Sequence, residues 1–107
     1  MFERRQFGTS RRRVLFFIGG YQTKIKMYRP FYLLARLLGY RVYAYVLDSS
    51  QVIDRDIMTY VAQVQAVNAD IQKTIATLPQ NMPVYVMGNS LGSESALYAL
   101  KQNIQIR

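Results

Sequence analysis

The residues best suited to chemistry are Gly88-Asn89-Ser90-Leu91-Gly92, which follow the apolar segment Met82-Pro83-Val84-Tyr85-Val86-Met87 and open a predicted helix. Small residues at both ends of this Gly-x-Ser-x-Gly pattern permit an abrupt strand-to-helix turn that holds the serine hydroxyl outward as a nucleophile. In that geometry the Leu91 N–H faces the oxygen on which negative charge develops during acyl transfer. A serine alcohol also needs a base to take its proton. The sequence of 107 residues contains no histidine, so it offers a nucleophile without the usual base.

Three strands and three helices are predicted to hold this turn in place. Arg13-Val14-Leu15-Phe16-Phe17-Ile18 is apolar at consecutive positions, which predicts a strand covered on both faces in a parallel sheet, and Gly19-Gly20 closes it. Pro30 suits the first turn of the next helix. Phe31, Leu34, Leu37 and Leu38 form one apolar stripe along that helix, and Gly39 takes the left-handed conformation that ends it. Tyr40 to Leu47 reads as a second strand, with Asp48-Ser49-Ser50 as its turn. A longer helix starts near Asp54 and buries Ile57, Val61, Val64, Val67, Ile71, Ile75 and Leu78, which recur at steps of three and four. Pro79, Asn81 and Pro83 break that pattern before a third strand, Val84 to Met87. A final helix over Leu91 to Lys101 turns Ala96, Leu97 and Leu100 towards the sheet. This alternation predicts an α/β fold with right-handed parallel crossovers.

Charge is distributed unevenly. The net charge is +8, with residues 1 to 41 carrying +9 and residues 42 to 107 carrying −1. Arg4, Arg5, Arg11, Arg12 and Arg13 dominate the first segment, so residues 1–12 are expected to be a flexible basic arm in front of a domain spanning 13–107. Such an arm offers weak contact to a polyanion. Lys24, Lys26 and Arg29 are placed to steer an anionic substrate, but read more simply as a solvated approach to the helix. Most of the nine tyrosines, Tyr43 and Tyr45 among them, fit packing with a wet hydroxyl edge.

Several function classes are disfavoured. Cysteine is absent, which removes disulfides and thiolate metal sites. With no histidine and only scattered acids, no dedicated metal site is expected. Neither Gly19-Gly20 nor the serine pentapeptide supplies a dinucleotide fingerprint or a phosphate loop, so no cofactor is expected. The apolar run from Val14 to Gly20 falls far below the roughly 20 residues needed to cross a bilayer. A soluble, cytoplasmic protein is the expectation.

The pentapeptide, with a strand before it and a helix after it, resembles the nucleophile elbow of the α/β-hydrolase superfamily. The resemblance runs from Arg13 to Gln102 and covers only the N-terminal to central portion of that family's domain. It implies a three-layer α/β fold whose three-stranded parallel partial sheet has the order 2-1-3 along this chain, with Val14 to Ile18 central and helices on both faces. It also implies a second oxyanion N–H from the loop after the first strand. Gly19-Gly20-Tyr21 occupies that place, so the Tyr21 amide, or that of Gly20, would join Leu91, while Gly19 stands where a histidine is commoner. Family members carry an Asp or Glu and then a histidine after the serine. Here Glu94 is the only later acid and lies in the adjacent helix, while Asp48 precedes the serine and reads as a strand terminator.

The expectation is therefore a fragment of a serine hydrolase that takes a small-molecule ester, thioester or amide through an acyl-enzyme and is inactive as the isolated chain. A fragment or truncated product is favoured over a non-catalytic descendant because such a partial sheet would expose both edges. The alternative is a basic-arm interaction module that binds a polyanion on a non-catalytic α/β scaffold.

Overall fold

The consecutive apolar side chains of β2 (Arg13–Ile18) are buried on both sides of a sheet, and that double burial sets the layer order. The computed structural model describes residues 2–19, 24–47 and 57–88. Its elements are β1 (Phe2–Phe7), β2, a 3-10 turn (Ile25–Tyr28), α1 (Arg29–Leu37), β3 (Tyr40–Leu47), α2 (Ile57–Ile75) and β4 (Val84–Gly88). Val14, Phe16 and Ile18 join Tyr43, Tyr45, Val67 and Ile71 on the α2 face, while Leu15 and Phe17 join Tyr32, Ala35, Val42 and Ala44 on the α1 face. The architecture is a three-layer α/β arrangement around a mixed sheet.

Among the described residues that sheet has four strands in the order β1-β3-β2-β4. β2 pairs in parallel with β3 on one side and β4 on the other, so the three expected strands lie in the expected relative order with β2 between its neighbours. Gly39 has φ +92° at the end of α1, the left-handed turn that the sequence predicts there.

Residues 2–7, expected within a flexible arm, are instead a strand. β1 runs antiparallel to β3, from Phe2 opposite Leu47 to Phe7 opposite Val42, and covers what was expected to be an open edge. The pattern Phe-Glu-Arg-Arg-Gln-Phe conceals this because edge pairing is made by the backbone, while the four central side chains face solvent. Charged edge residues are also a common guard against unwanted strand addition. Gly8, at φ +84°, lets the chain leave the strand. The following turn is tied down by Ser10 Oγ, which donates to the Gly39 carbonyl at 2.8 Å, and by Arg41 Nε, which donates to the Ser10 carbonyl at 3.0 Å.

α1 also buries a different face from the one its leucines suggest. Tyr32 and Ala35 point inward, whereas Leu34, Leu37 and Leu38 are exposed, Leu37 by 85%. β1 supplies the reason: Phe7 stacks on Tyr32 at 4.4 Å, which turns that ring inward between β1 and Phe17 of β2. In α2 the expected stripe is buried at Val64, Val67 and Ile71 and partly buried at Ile75, Val61 is exposed, and Leu78, partly buried, stands beyond the helix end. The turn at Asp48, the start of the longer helix near Asp54 and the final helix from Leu91 lie outside the described residues.

Tyr32 pays for its packing with a buried hydroxyl that has no hydrogen-bond partner. Burial, with the neighbouring Tyr28 adding to it, pushes its pKa up from 10.0 to about 12. Because the folded state holds this proton more tightly than the unfolded chain does, its contribution to stability is whole below about pH 10 and fades as the pH rises through about 12. Tyr32→Phe keeps the ring stack and removes the orphaned polar atom. It is expected to raise stability by about 1 kcal/mol at neutral pH and to shrink the alkaline loss, both readable from urea melts at pH 7 and pH 11.

Candidate active site

Parallel pairing brings the carboxyl ends of β2 and β4, marked by Gly19 and Gly88, to the same end of the sheet. Ile18 is in register with Gly88, so β2 and β4 finish side by side and the segments after Gly19 and Gly88 leave from adjacent strands. The helix that follows β2 lies on one face and the helix that precedes β4 on the other. A crevice beyond the carboxyl ends of adjacent parallel strands is the usual ligand position in open α/β sheets.

Gly19 is buried, and its amide donates to the Tyr45 carbonyl at 2.8 Å. That N–H is spent on the sheet. Any oxyanion donor from this loop must therefore come from later in it, where Gly20 and Tyr21 stand. Those two residues, together with Ser90, Leu91 and Gly92, lie outside the described residues; Gly19 and Gly88 are the expected site residues that the structure places. Beyond the loop, Ile25 is buried and anchors the 3-10 turn, leaving Lys24, Lys26 and Arg29 exposed on the approach.

The basic segment is more committed than its composition suggests. Arg4 Nε lies 3.0 Å from Asp70 Oδ2, and its guanidinium sits 4.9 Å from the Tyr43 ring centre. The guanidinium of Arg5 lies 5.8 Å from the Phe7 ring and that of Arg13 lies 5.1 Å from the Tyr40 ring. Arg11 and Arg12 are exposed.

Asp70 is the important residue that sequence reasoning missed. The fully buried Tyr45 donates its hydroxyl to Asp70 Oδ2 at 2.5 Å, so one carboxylate joins β1, β3 and α2. Burial, with the Asp70 hydrogen bond and charge behind it, holds the Tyr45 pKa well above the usual phenol range. The only sequence signal was position: Asp70 stands between Val67 and Ile71, on the border of the buried stripe. This network is a brace between β1, β3 and α2, whereas Gly19 and Gly88 end the strand pair on the other side of β3.

Among the described residues, no group of three or more His, Cys, Asp or Glu could hold a metal ion, and no helix is long and apolar enough to cross a membrane. Comparison with known proteins finds no matching family model, no matching curated protein and no matching solved structure.

Proposed function

We propose that this chain carries the nucleophile-bearing part of a serine hydrolase core, with Ser90 as nucleophile and the amides of Leu91 and Tyr21, or Gly20, as oxyanion donors. The observation that carries the reading is the register of Ile18 with Gly88, which starts the Gly19-Gly20-Tyr21 loop beside the Gly88–Gly92 segment. Acyl transfer needs a nucleophile from one loop and a charge-stabilising amide from a neighbouring one. The parallel β3-β2-β4 order supplies that adjacency, and the commitment of the Gly19 amide to Tyr45 directs the role to the next two residues. The substrate class is a small ester, thioester or amide, processed through an acyl-enzyme on Ser90.

Histidine is absent from the sequence, so a base of that type comes from outside these 107 residues. General-base assistance is worth about 10²- to 10⁴-fold. The chain by itself is expected to hydrolyse a p-nitrophenyl ester no faster than its Ser90→Ala variant. Added imidazole is expected to accelerate fluorophosphonate labelling of the chain, with the label on Ser90 and none on Ser90→Ala. Equal labelling of both proteins would remove the reading.

A second reading places a polyanion on the exposed cations Arg5, on the edge strand β1, and Arg11 and Arg12, in the turn that leads into β2. Deleting residues 1 to 13 does not isolate that role, because the deletion also removes β1. The cleaner pair is Arg11→Ala with Arg12→Ala. If this reading holds, heparin affinity falls with both salt and the substitutions while Ser90→Ala leaves it unchanged.

A further inference from the structure

α1 is apolar on the side turned away from the sheet as well as on the side turned towards it. With about 3.6 residues per turn, Leu33 and Leu37 fall opposite Tyr32 and Ala35, the residues that face the core. A surface helix normally carries polar side chains there. Instead Leu37 is 85% exposed and Leu33 is 54% exposed, and Met27, in the 3-10 turn ahead of the helix, is exposed with them.

Cations border these side chains along the length of the helix. Arg36 lies against Gly8 at the end of β1, and Arg29, two turns earlier in α1, shares that side of the helix. Ser10 Oγ ties the turn after β1 to the Gly39 carbonyl just beyond α1, where the Arg12 guanidinium lies beside Gly39 and Arg11 is exposed. None of the four is neutralised by a neighbour. Among the described residues the one ion pair joins Arg4 to Asp70 on the α2 face, and Arg11, Arg12, Arg29 and Arg36 make none. Residues 4–47 contain no Asp or Glu, and Glu3 stands at the other end of β1, opposite Val46.

Guanidinium groups pair readily with phosphate, so these cations alone would suit any phosphate-bearing polyanion. The leucines choose among the candidates. A nucleic acid would leave Leu33 and Leu37 in water, and a second copy, with the same acid-free segment, would be repelled. An anionic bilayer surface accounts for both features, because its phosphates overlie apolar chains.

We propose that the outward side of α1 seats on an anionic phospholipid surface, with Met27, Leu33 and Leu37 entering the boundary between head groups and acyl chains while Arg11, Arg12, Arg29 and Arg36 meet the phosphates. The proposal extends the polyanion reading, with which it shares Arg11 and Arg12, and does not depend on Ser90. Co-sedimentation of the 107-residue chain with vesicles is the first readout. Partition into phosphatidylcholine mixed with phosphatidylserine is expected to exceed partition into phosphatidylcholine alone by at least about tenfold. Arg12→Ala and Arg36→Ala should each lower it by about fivefold. Leu37→Ser should lower it by about tenfold through lost apolar burial, and the Tm should hold because the side chain is exposed. The sequence contains no tryptophan, so Leu37→Trp adds a single reporter whose emission is expected to move to shorter wavelength on the mixed vesicles. Equal partition into both kinds of vesicle, partition into neither, or an unmoved emission would overturn the proposal. Heparin binding without vesicle binding would sink this proposal and leave the polyanion reading standing, whereas loss of both would sink the two together.

Discussion

Phe16→Ala is expected to destabilise the protein by about 3–5 kcal/mol, the usual range for emptying a buried aromatic site. Phe16 has no exposed surface, sits on the strand between β3 and β4, and packs its ring against Tyr43 at 5.3 Å and Tyr45 at 6.4 Å. The neighbours cannot close the gap easily, because Tyr45 is held by its hydrogen bond to Asp70. With domain stabilities near 5–15 kcal/mol, the variant approaches the limit at which it stays folded. Urea denaturation with an unchanged slope should show the loss as a lower midpoint. A loss under about 1 kcal/mol would mean that Phe16 does not sit in the core described here.

Asp70→Ala is expected to cost about 2–3 kcal/mol, chiefly because the buried Tyr45 hydroxyl loses its acceptor. The Arg4 pairing contributes little of that, since the two side chains are 37% and 27% exposed and water screens them. Asp70→Asn retains an acceptor oxygen and is expected to recover more than half of the loss. Tyr45→Phe in the Asp70→Ala background should then cost less than Tyr45→Phe alone, the signature of a shared interaction in a double-mutant cycle. Strict additivity of the two substitutions would show that the hydroxyl and the carboxylate are not partners. The same brace predicts that β1 loosens first, which amide exchange at residues 3 to 6 would reveal in Asp70→Ala.

The parts of this fold that were legible in the sequence are those in which burial leaves a pattern. Arg13–Ile18 and Tyr40–Leu47 are strands with the expected bounds, because a strand covered on both faces must be apolar almost throughout. β1 was hidden for the opposite reason: its backbone joins the sheet while Glu3, Arg4, Arg5 and Gln6 stay at the surface. Missing that strand displaced the next inference. Without Phe7 nothing indicated that Tyr32 would be the inward residue of α1, so the leucine stripe seemed the natural core face. In the candidate site, the ends of two strands at Gly19 and Gly88 followed from periodicity and punctuation, whereas their lying side by side was implied only by the resemblance and is seen in the pairing of β2 with β4. Asp70 did not, because a carboxylate that accepts from a tyrosine 25 positions away leaves no local trace.

The serine reading is tested most directly by turning Ser90 into a reporter. The sequence contains no cysteine, so Ser90→Cys creates a single thiol whose pKa can be measured from the pH dependence of its reaction with iodoacetamide. The proposed reading puts this residue at an outward-pointing turn opening a helix, where the N-terminal amides would favour the thiolate, so the pKa is expected to fall at least about one unit below the ordinary 8.5 with the thiol fully reactive in the folded protein. A thiol that titrates at or above 8.5, or that reacts only after unfolding, would contradict the account.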